Sequence, residues 1–445
     1  MTDIINTLAG IAAQDPLDLL RDHRAQAKEN AQLSFIALLE PGDPGSFSYR
    51  DRYAVAAFTA GLLGSDAAEV FYRDLLRDED ESASLTVAQL LDLALTESAP
   101  AAGVARTAAV AELDAVRGPY GIHESENLAG ENVPGPWFHV DEKSAEVLGP
   151  LTAAGLEFAH LLVLHPRDSR PDHVARLLAA GWDEDGIVTL AQLVSFLNFQ
   201  IRISTGLAAL AGAPVPSAAD ASAPAAGDAG AVAGGSPALT AVGDRISTYP
   251  NLNRPLNYQQ AGLGWVPWIA PVAEADLSDV QRDALVEAGR AKNAYFRLLA
   301  RDPEALRART LTDFDIFFNT SDGLGRAERE IAATAASRLN GCLFCASVHS
   351  DRATQESGRR DTVQQLLDEG IGTDLGDPVW NAVVEASVAL TLTPQIFGPE
   401  HVSRLREVGL DDGDIIDALN CAAFFNWANR LMLSLGEPEV LAPGR

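Results

Sequence analysis

Sulfur is scarce in this chain, whose 445 residues include three cysteines and two methionines. Cys342, Cys345 and Cys421 are too few for a structural disulfide framework, and in a reducing compartment a close pair points to redox chemistry or metal. Positive charge is also scarce: 33 Lys and Arg stand against 62 Asp and Glu, a formal charge of −29. A phosphate backbone would be repelled, and no basic run offsets this locally, so nucleic acid is not an expected partner. The N-terminal stretch MTDIINTLAGIAAQDPLDLLRDHRAQ lacks a basic leader and is broken by acids and Pro16, so it does not read as a signal peptide. Uninterrupted apolar runs of about 18 residues are missing too, which argues against a membrane span. A cytoplasmic location is expected.

What is present is a 47% share of hydrophobic residues with helical spacing. Leu177, Leu178, Ile187, Leu190, Leu193, Val194 and Leu197 recur at intervals of three and four. Strand-like alternation is rare, so the expected fold is all-α. The length suits two domains of about 200 residues each. Residues 208–244 consist largely of Ala, Gly, Ser, Pro and Asp, with almost nothing large to bury, and read as a flexible linker.

An internal repeat fixes the organisation. The stretch from Phe158 aligns without a gap to the stretch from Ala386, at one offset of 228 positions. Pro166 meets Pro394, Pro171 meets Pro399, His173 meets His401, Gly181 meets Gly409, Asn198 meets Asn426 and Arg202 meets Arg430. A duplicated helical domain is therefore expected: residues 1–207 form one copy, 208–247 the linker and 248–445 the second copy. Gly181 and Gly409 suit helix C-caps, Asp183 and Asp411 suit the next N-caps, and Pro171 and Pro399 suit helix starts. His173 and His401 then have a structural explanation, as do His160 and His165.

The chemistry concentrates in GRAEREIAATAASRLNGCLFCASVHSDRA, residues 325–353. The spacing predicts one helix ending at Gly341 and another beginning at or near Cys342. A cysteine at a helix N-terminus feels the partial positive charge of unpaired N–H groups, which favours thiolate. Cys345 and His349 share a helical face, so the imidazole can take the thiol proton. Glu330, on the preceding helix, is placed to fix the tautomer and support the charge of His349. Glu328 points about 160° away around that helix if Glu330 faces inward. A zinc site would need more ligands than one C-x-x-C supplies. Cys421 sits in an apolar helix and reads as packing.

Glu330, Cys342, Cys345 and His349, in the pattern E-x11-C-x2-C-x3-H, resemble the AhpD-like alkylhydroperoxidase and carboxymuconolactone decarboxylase superfamily, in particular its peroxidase-related branch. GWVPWIAPV, NAYFRLLARDPEAL and NWANRLMLSLGEP extend the resemblance over roughly residues 250 to 440. It implies an all-helical fold with the C-x-x-C at a helix start. The first half resembles a decayed copy: with Arg52 in the place of Glu330, residues Gly64, Ala67 and Phe71 fall where Cys342, Cys345 and His349 stand.

By this resemblance the protein is expected to reduce hydroperoxides through a Cys342/Cys345 dithiol-disulfide cycle with a Glu330/His349 proton relay. Cys345, with His349 one turn away on its face, is expected to be peroxidatic and Cys342, at the more accessible helix end, the resolving and partner-facing thiol; the alternative is the opposite order, usual for thioredoxin-like C-x-x-C pairs. No bound cofactor or metal is expected: the redox group is the cysteine pair, restored by an external dithiol or lipoyl-type partner. A homo-oligomer is expected, with a trimer first, since three fused pairs would imitate six single domains. The alternatives are a general disulfide reductase or lipoyl-linked electron carrier, a redox-sensing scaffold, and a decarboxylase, whose chemistry does not call for the cysteine pair. GLGWVPWIAP and Phe344 supply aromatic surface near the motif.

Overall fold

A computed structural model describes residues 3–98, 135–136, 138–212 and 245–441. The central part of the expected linker, residues 213–244, lies outside the described residues. Its expected edges are shorter than the composition implied. The preceding helix continues to Leu210, and Ile246 already bridges to Ile269.

The fold is all-α. The first half carries α1 (Ile4–Ala9), α2 (Pro16–Leu20), α3 (Ala25–Leu39), α4 (Tyr49–Leu62), α5 (Asp66–Glu79), α6 (Glu81–Ser98), α7 (Glu142–Leu148), α8 (Pro150–Leu164), α9 (Pro171–Ala179) and α10 (Glu184–Leu210). The second half carries α11 (Asp279–Ala284), α12 (Ala294–Leu299), α13 (Pro303–Phe318), α14 (Arg326–Leu339), α15 (Leu343–Ser357), α16 (Arg360–Glu369), α17 (Pro378–Thr391), α18 (Pro399–Glu407) and α19 (Asp412–Ser434). Two short strands accompany them: β1 (Leu263–Pro267), inside the aromatic GLGWVPWIAP stretch, pairs antiparallel with β2 (Gly436–Val440).

The caps follow from the sequence. Gly181 and Gly409 adopt positive φ, and the Asp183 and Asp411 carboxylates accept from the Gly186 and Asp414 amides to open α10 and α19. His173 and His401 each accept the backbone N–H at their helix N-cap through Nδ1, at 3.1 Å. His160 is buried and stacked on Phe138, and burial pushes its pKa down to about 4.

The long helices α10 and α19 pack on each other at the centre of the molecule. α10 is long and apolar enough to cross a bilayer, yet it is buried almost throughout within the protein. Phe196 and Phe199 from α10 meet Phe424 and Trp427 from α19, with Phe199 stacked on Trp427 at 5.7 Å between centroids. Burying each such ring contributes roughly 2–3 kcal/mol. The offset of 228 recurs in these contacts, since Phe424 and Trp427 stand 228 positions after Phe196 and Phe199.

The two arginines of the repeat cross between the halves. Arg202 donates to the Asn198 side chain and to the Thr391 carbonyl at 3.0 Å. Arg430 donates to the Asn426 side chain and to the Val163 carbonyl at 3.1 Å. Thr391 follows Val163 by the same 228 positions, so the exchange is reciprocal.

Upstream of the repeat, similar local features recur at an offset of 277 positions, one residue from the register expected. Arg52 Nε donates to the Phe47 carbonyl and Arg329 Nε to the Leu324 carbonyl, each five residues earlier. Arg52 therefore matches Arg329 and not Glu330. Gly64 and Gly341 both adopt positive φ, and Ser65 and Cys342 both stand at the N-cap of the following helix. In this register Tyr53, Ser65, Ala68 and Tyr72 occupy the places of Glu330, Cys342, Cys345 and His349. The Tyr72 hydroxyl donates to Gln200, so the His349 position in the first half carries a buried phenol tied to α10.

Candidate active site

The motif sits on two antiparallel helices joined by a single tight turn. α14 ends at Leu339 with Asn340 as its C-cap, Gly341 takes φ +76°, and the Cys342 amide closes back on the Ser337 carbonyl at 2.9 Å. A side chain at Gly341 would meet Arg167 at 2.7 Å, so both the dihedral and the close approach call for glycine. The turn is also held from the side: Asn340 Nδ2 donates to Asn429 and Asn426 of α19, and Asn429 donates to Ser337.

This turn delivers Glu330 and His349 to one another. His349 Nδ1 lies 2.5 Å from Glu330 Oε2, while Arg326, one turn earlier on α14, donates to Glu330 Oε1 at 2.6 Å. Glu328 faces elsewhere and accepts from the Trp380 indole at 3.0 Å. The His349 ring packs edge-on against Phe425, with centroids 4.0 Å apart, and lies near Phe317. Glu330 is fully buried, where an unpaired charge would be costly, yet its pKa lies below the usual value. Burial opposes that shift, and His349 and Arg326 outweigh it. His349 is shifted upward in turn, because Glu330 outweighs the burial that would neutralise it.

The two thiols are free and differ sharply. Burial raises the Cys342 pKa well above the usual value, and its neighbour Cys345 adds to this. Amides at the start of α15 favour its thiolate, as a helix N-terminus should, but burial dominates. Cys345 is lowered: burial opposes ionisation, but the Cys342 thiol donating to it, the His349 charge, the Asn429 side chain and Arg309 together prevail. Accessibility also departs from expectation. Cys342 is 1% exposed and Cys345 5%, so Cys342 is the less accessible sulfur. It stands at the N-cap of α15, directly after the Asn340–Gly341 turn.

Cys345 lines a cavity of about 520 Å³ that Cys342 does not reach. Phe317, Phe344, Phe424 and Phe425 give it aromatic walls, and His349 and Glu330 lie on its polar side. Of the expected aromatic surface, Phe344 reaches this cavity. Trp268 is instead buried, donating to Glu437, and Trp265 packs on Tyr295.

A model of the carboxymuconolactone decarboxylase family matches residues 303–389. The second half carries a carboxymuconolactone decarboxylase family domain. The match runs from α13 into α17 and includes Arg326, Glu330, both motif cysteines and His349, while Asn429 and Phe425 lie beyond it. No curated protein and no solved structure matches the chain.

Around this family domain the structure adds residues that the motif alone did not indicate. Arg326 could have been found as a cation one turn before Glu330. Asn429 lies within the NWANRL segment, but nothing in its spacing from Cys345, 84 positions away, marks it. Cys421 is buried with its pKa raised well above the usual value by burial. Among the described residues no cluster of three or more His, Cys, Asp or Glu is arranged to hold a metal.

Proposed function

We propose that the protein is a thiol-dependent peroxidase that reduces organic hydroperoxides. The observation that carries this reading is the asymmetry of the pair: Cys345 faces the aromatic cavity with a lowered pKa, and Cys342 lies behind it. The Cys345 thiolate attacks the distal peroxide oxygen, forming an S–O bond as the O–O bond breaks, and the departing alkoxide takes a proton to leave as alcohol. His349, held charged by Glu330, is the proton source for that step. The Cys342 sulfur then attacks the sulfenic sulfur, its proton and the hydroxyl leave as water, and the disulfide remains. An external dithiol or lipoyl-type partner restores the pair by exchange and is itself oxidised. The cycle requires a reducing compartment such as the cytosol. The first half, carrying Ser65 and Ala68 at the cysteine positions, is read as a non-catalytic copy that backs the cavity wall through Phe199, whose ring packs on Phe424.

The test is thiol titration before and after one equivalent of cumene hydroperoxide. Three reactive thiols under denaturing conditions should fall to one, with one equivalent of cumyl alcohol formed. Unchanged thiols would sink the reading. Reduction of a simple disulfide, with peroxide consumed no faster than by free dithiothreitol, would point to a general disulfide reductase.

A further inference from the structure

Two polar groups in the Cys345 cavity take no step in the chemistry above, although the charge of one, Arg309, favours the Cys345 thiolate. Arg309 on α13 and Tyr295 on α12 both line it, and they are only 5% and 8% exposed. Among the described residues Arg309 makes no hydrogen bond or ion pair. Its Nε and the Tyr295 hydroxyl are both buried without a partner. The guanidinium rests instead over aromatic faces, 5.0 Å from the Phe424 centroid and 5.8 Å from that of Trp427.

Other buried arginines have acceptors, even where, as in Arg202, the Nε is also unpartnered. Arg24 and Arg329 share Asp417, and Arg52, Arg202 and Arg430 donate to carbonyls. Stacking on rings leaves the buried Nε–H of Arg309 unused, and native proteins seldom bury a donor without an acceptor.

No carboxylate lining the cavity pairs with Arg309. Glu330 already serves both Arg326 and His349. Asp313 lines the same cavity one turn from Arg309 but makes no ion pair with it, and burial favours its neutral form.

We propose that Arg309 and Tyr295 form an anion subsite, and that the hydroperoxide substrate carries a carboxylate bound there, its apolar body against Phe344, Phe424 and Phe425. The guanidinium offers a fork of donors matched to a carboxylate, and the phenol adds one more. The substrate class deepens the peroxidase reading and rests on it. A purely local role for Arg309, supporting the Cys345 thiolate, would affect every substrate equally. A bound carboxylate makes Arg309 discriminate between acid and ester.

The test uses the full chain and two matched pairs. Calorimetry compares 4-isopropylbenzoate, which has no peroxide, with its methyl ester; turnover compares 4-carboxycumene hydroperoxide with its methyl ester. The wild type should bind the acid at least tenfold more tightly than the ester, with the preference in turnover carried by KM. Arg309→Met should bring both ratios close to one, Arg309→Lys should fall between, and Tyr295→Phe should lower the ratio severalfold. Equal affinities for acid and ester in the wild type, or an unchanged ratio in Arg309→Met, would overturn the subsite. Should circular dichroism show Arg309→Met unfolded, Tyr295→Phe decides, because it removes one oxygen and no packing; an unchanged ratio there is equally fatal. Acid binding without peroxide turnover would defeat the peroxidase reading and leave the subsite standing, whereas turnover blind to the carboxylate would do the reverse.

Discussion

The Glu330 carboxylate is divided between two cations, with Oε2 2.5 Å from His349 Nδ1 and Oε1 2.6 Å from Arg326 Nε. Glu330→Gln would keep the shape and remove the charge. Two buried cations would lose their counter-ion, so stability should fall by about 3 kcal/mol in urea unfolding. His349 would lose its upward shift, and hydroperoxide reduction at neutral pH should drop on the order of 100-fold. An unaltered rate would remove Glu330 from the proposed relay. In the native protein the folded pKa of Glu330 is depressed, so its share of stability is present above about pH 4.5 and lost as pH falls through the folded value. His349 runs the other way: its share is complete below about pH 6.5 and lost as pH rises through its raised pKa.

Alkylation should distinguish the two thiols. At pH 7 iodoacetamide is expected to label Cys345 first, with a pH dependence whose midpoint lies below that of an ordinary thiol, while Cys342 and Cys421 stay largely unmodified until the protein is unfolded. Peptide mapping after a short pulse reads this directly. In Cys342→Ser, peroxide should leave a sulfenic acid at Cys345 that a dimedone trap captures; a stable adduct at Cys342 in Cys345→Ser would reverse the assignment.

Asp417 ties the N-terminal segment to the motif helix. Its oxygens accept from Arg24 at 2.8 and 2.7 Å and from His23 at 3.0 Å, and form an ion pair with Arg329 at 3.1 Å. Asp417→Asn should cost about 3–5 kcal/mol in chemical denaturation, because three basic groups lose their acceptor charge. Despite burial, these partners hold the Asp417 pKa below its usual value. Its stabilisation is therefore present above about pH 4 and disappears as pH falls through the depressed value, which an acid-unfolding series of wild type against variant would reveal.

Phe425 supports the His349 ring edge-on and is 3% exposed. Phe425→Ala should lower stability by about 3–4 kcal/mol and allow the imidazole to leave Glu330. Its nitrogen chemical shifts and titration midpoint in NMR should then move toward those of a free histidine. A midpoint that stays raised would show that Glu330 alone holds the ring.

Much of the site could be read from spacing, because Glu330, Cys342, Cys345 and His349 lie within twenty positions on two consecutive helices. Gly341 marks the turn between them, and helical phase separates Glu330 from Glu328. Asn429, Phe425 and Arg309 escaped that reading because their relation to Cys345 is tertiary: they reach it from α19 and α13. The accessibility of the two sulfurs was misjudged for a related reason. A helix start is usually exposed, but here the turn beneath Cys342 is covered by Asn426, Asn429 and Arg167, residues distant in the chain. The all-α class and the repeat offset came from local pattern alone. The strands escaped because β1 and β2 are five residues each and 173 positions apart where they begin.

The reciprocal reach of Arg202 and Arg430 has a practical meaning for anyone trimming this chain. Each half completes a carbonyl end of the other, and the rings of Phe199 and Trp427 interlock between them. A protease nick between residues 212 and 245 should therefore leave both pieces travelling as one particle. The cysteine-bearing fragment produced by itself would expose a sheared aromatic face and aggregate. The smallest unit able to turn over would be the fused pair.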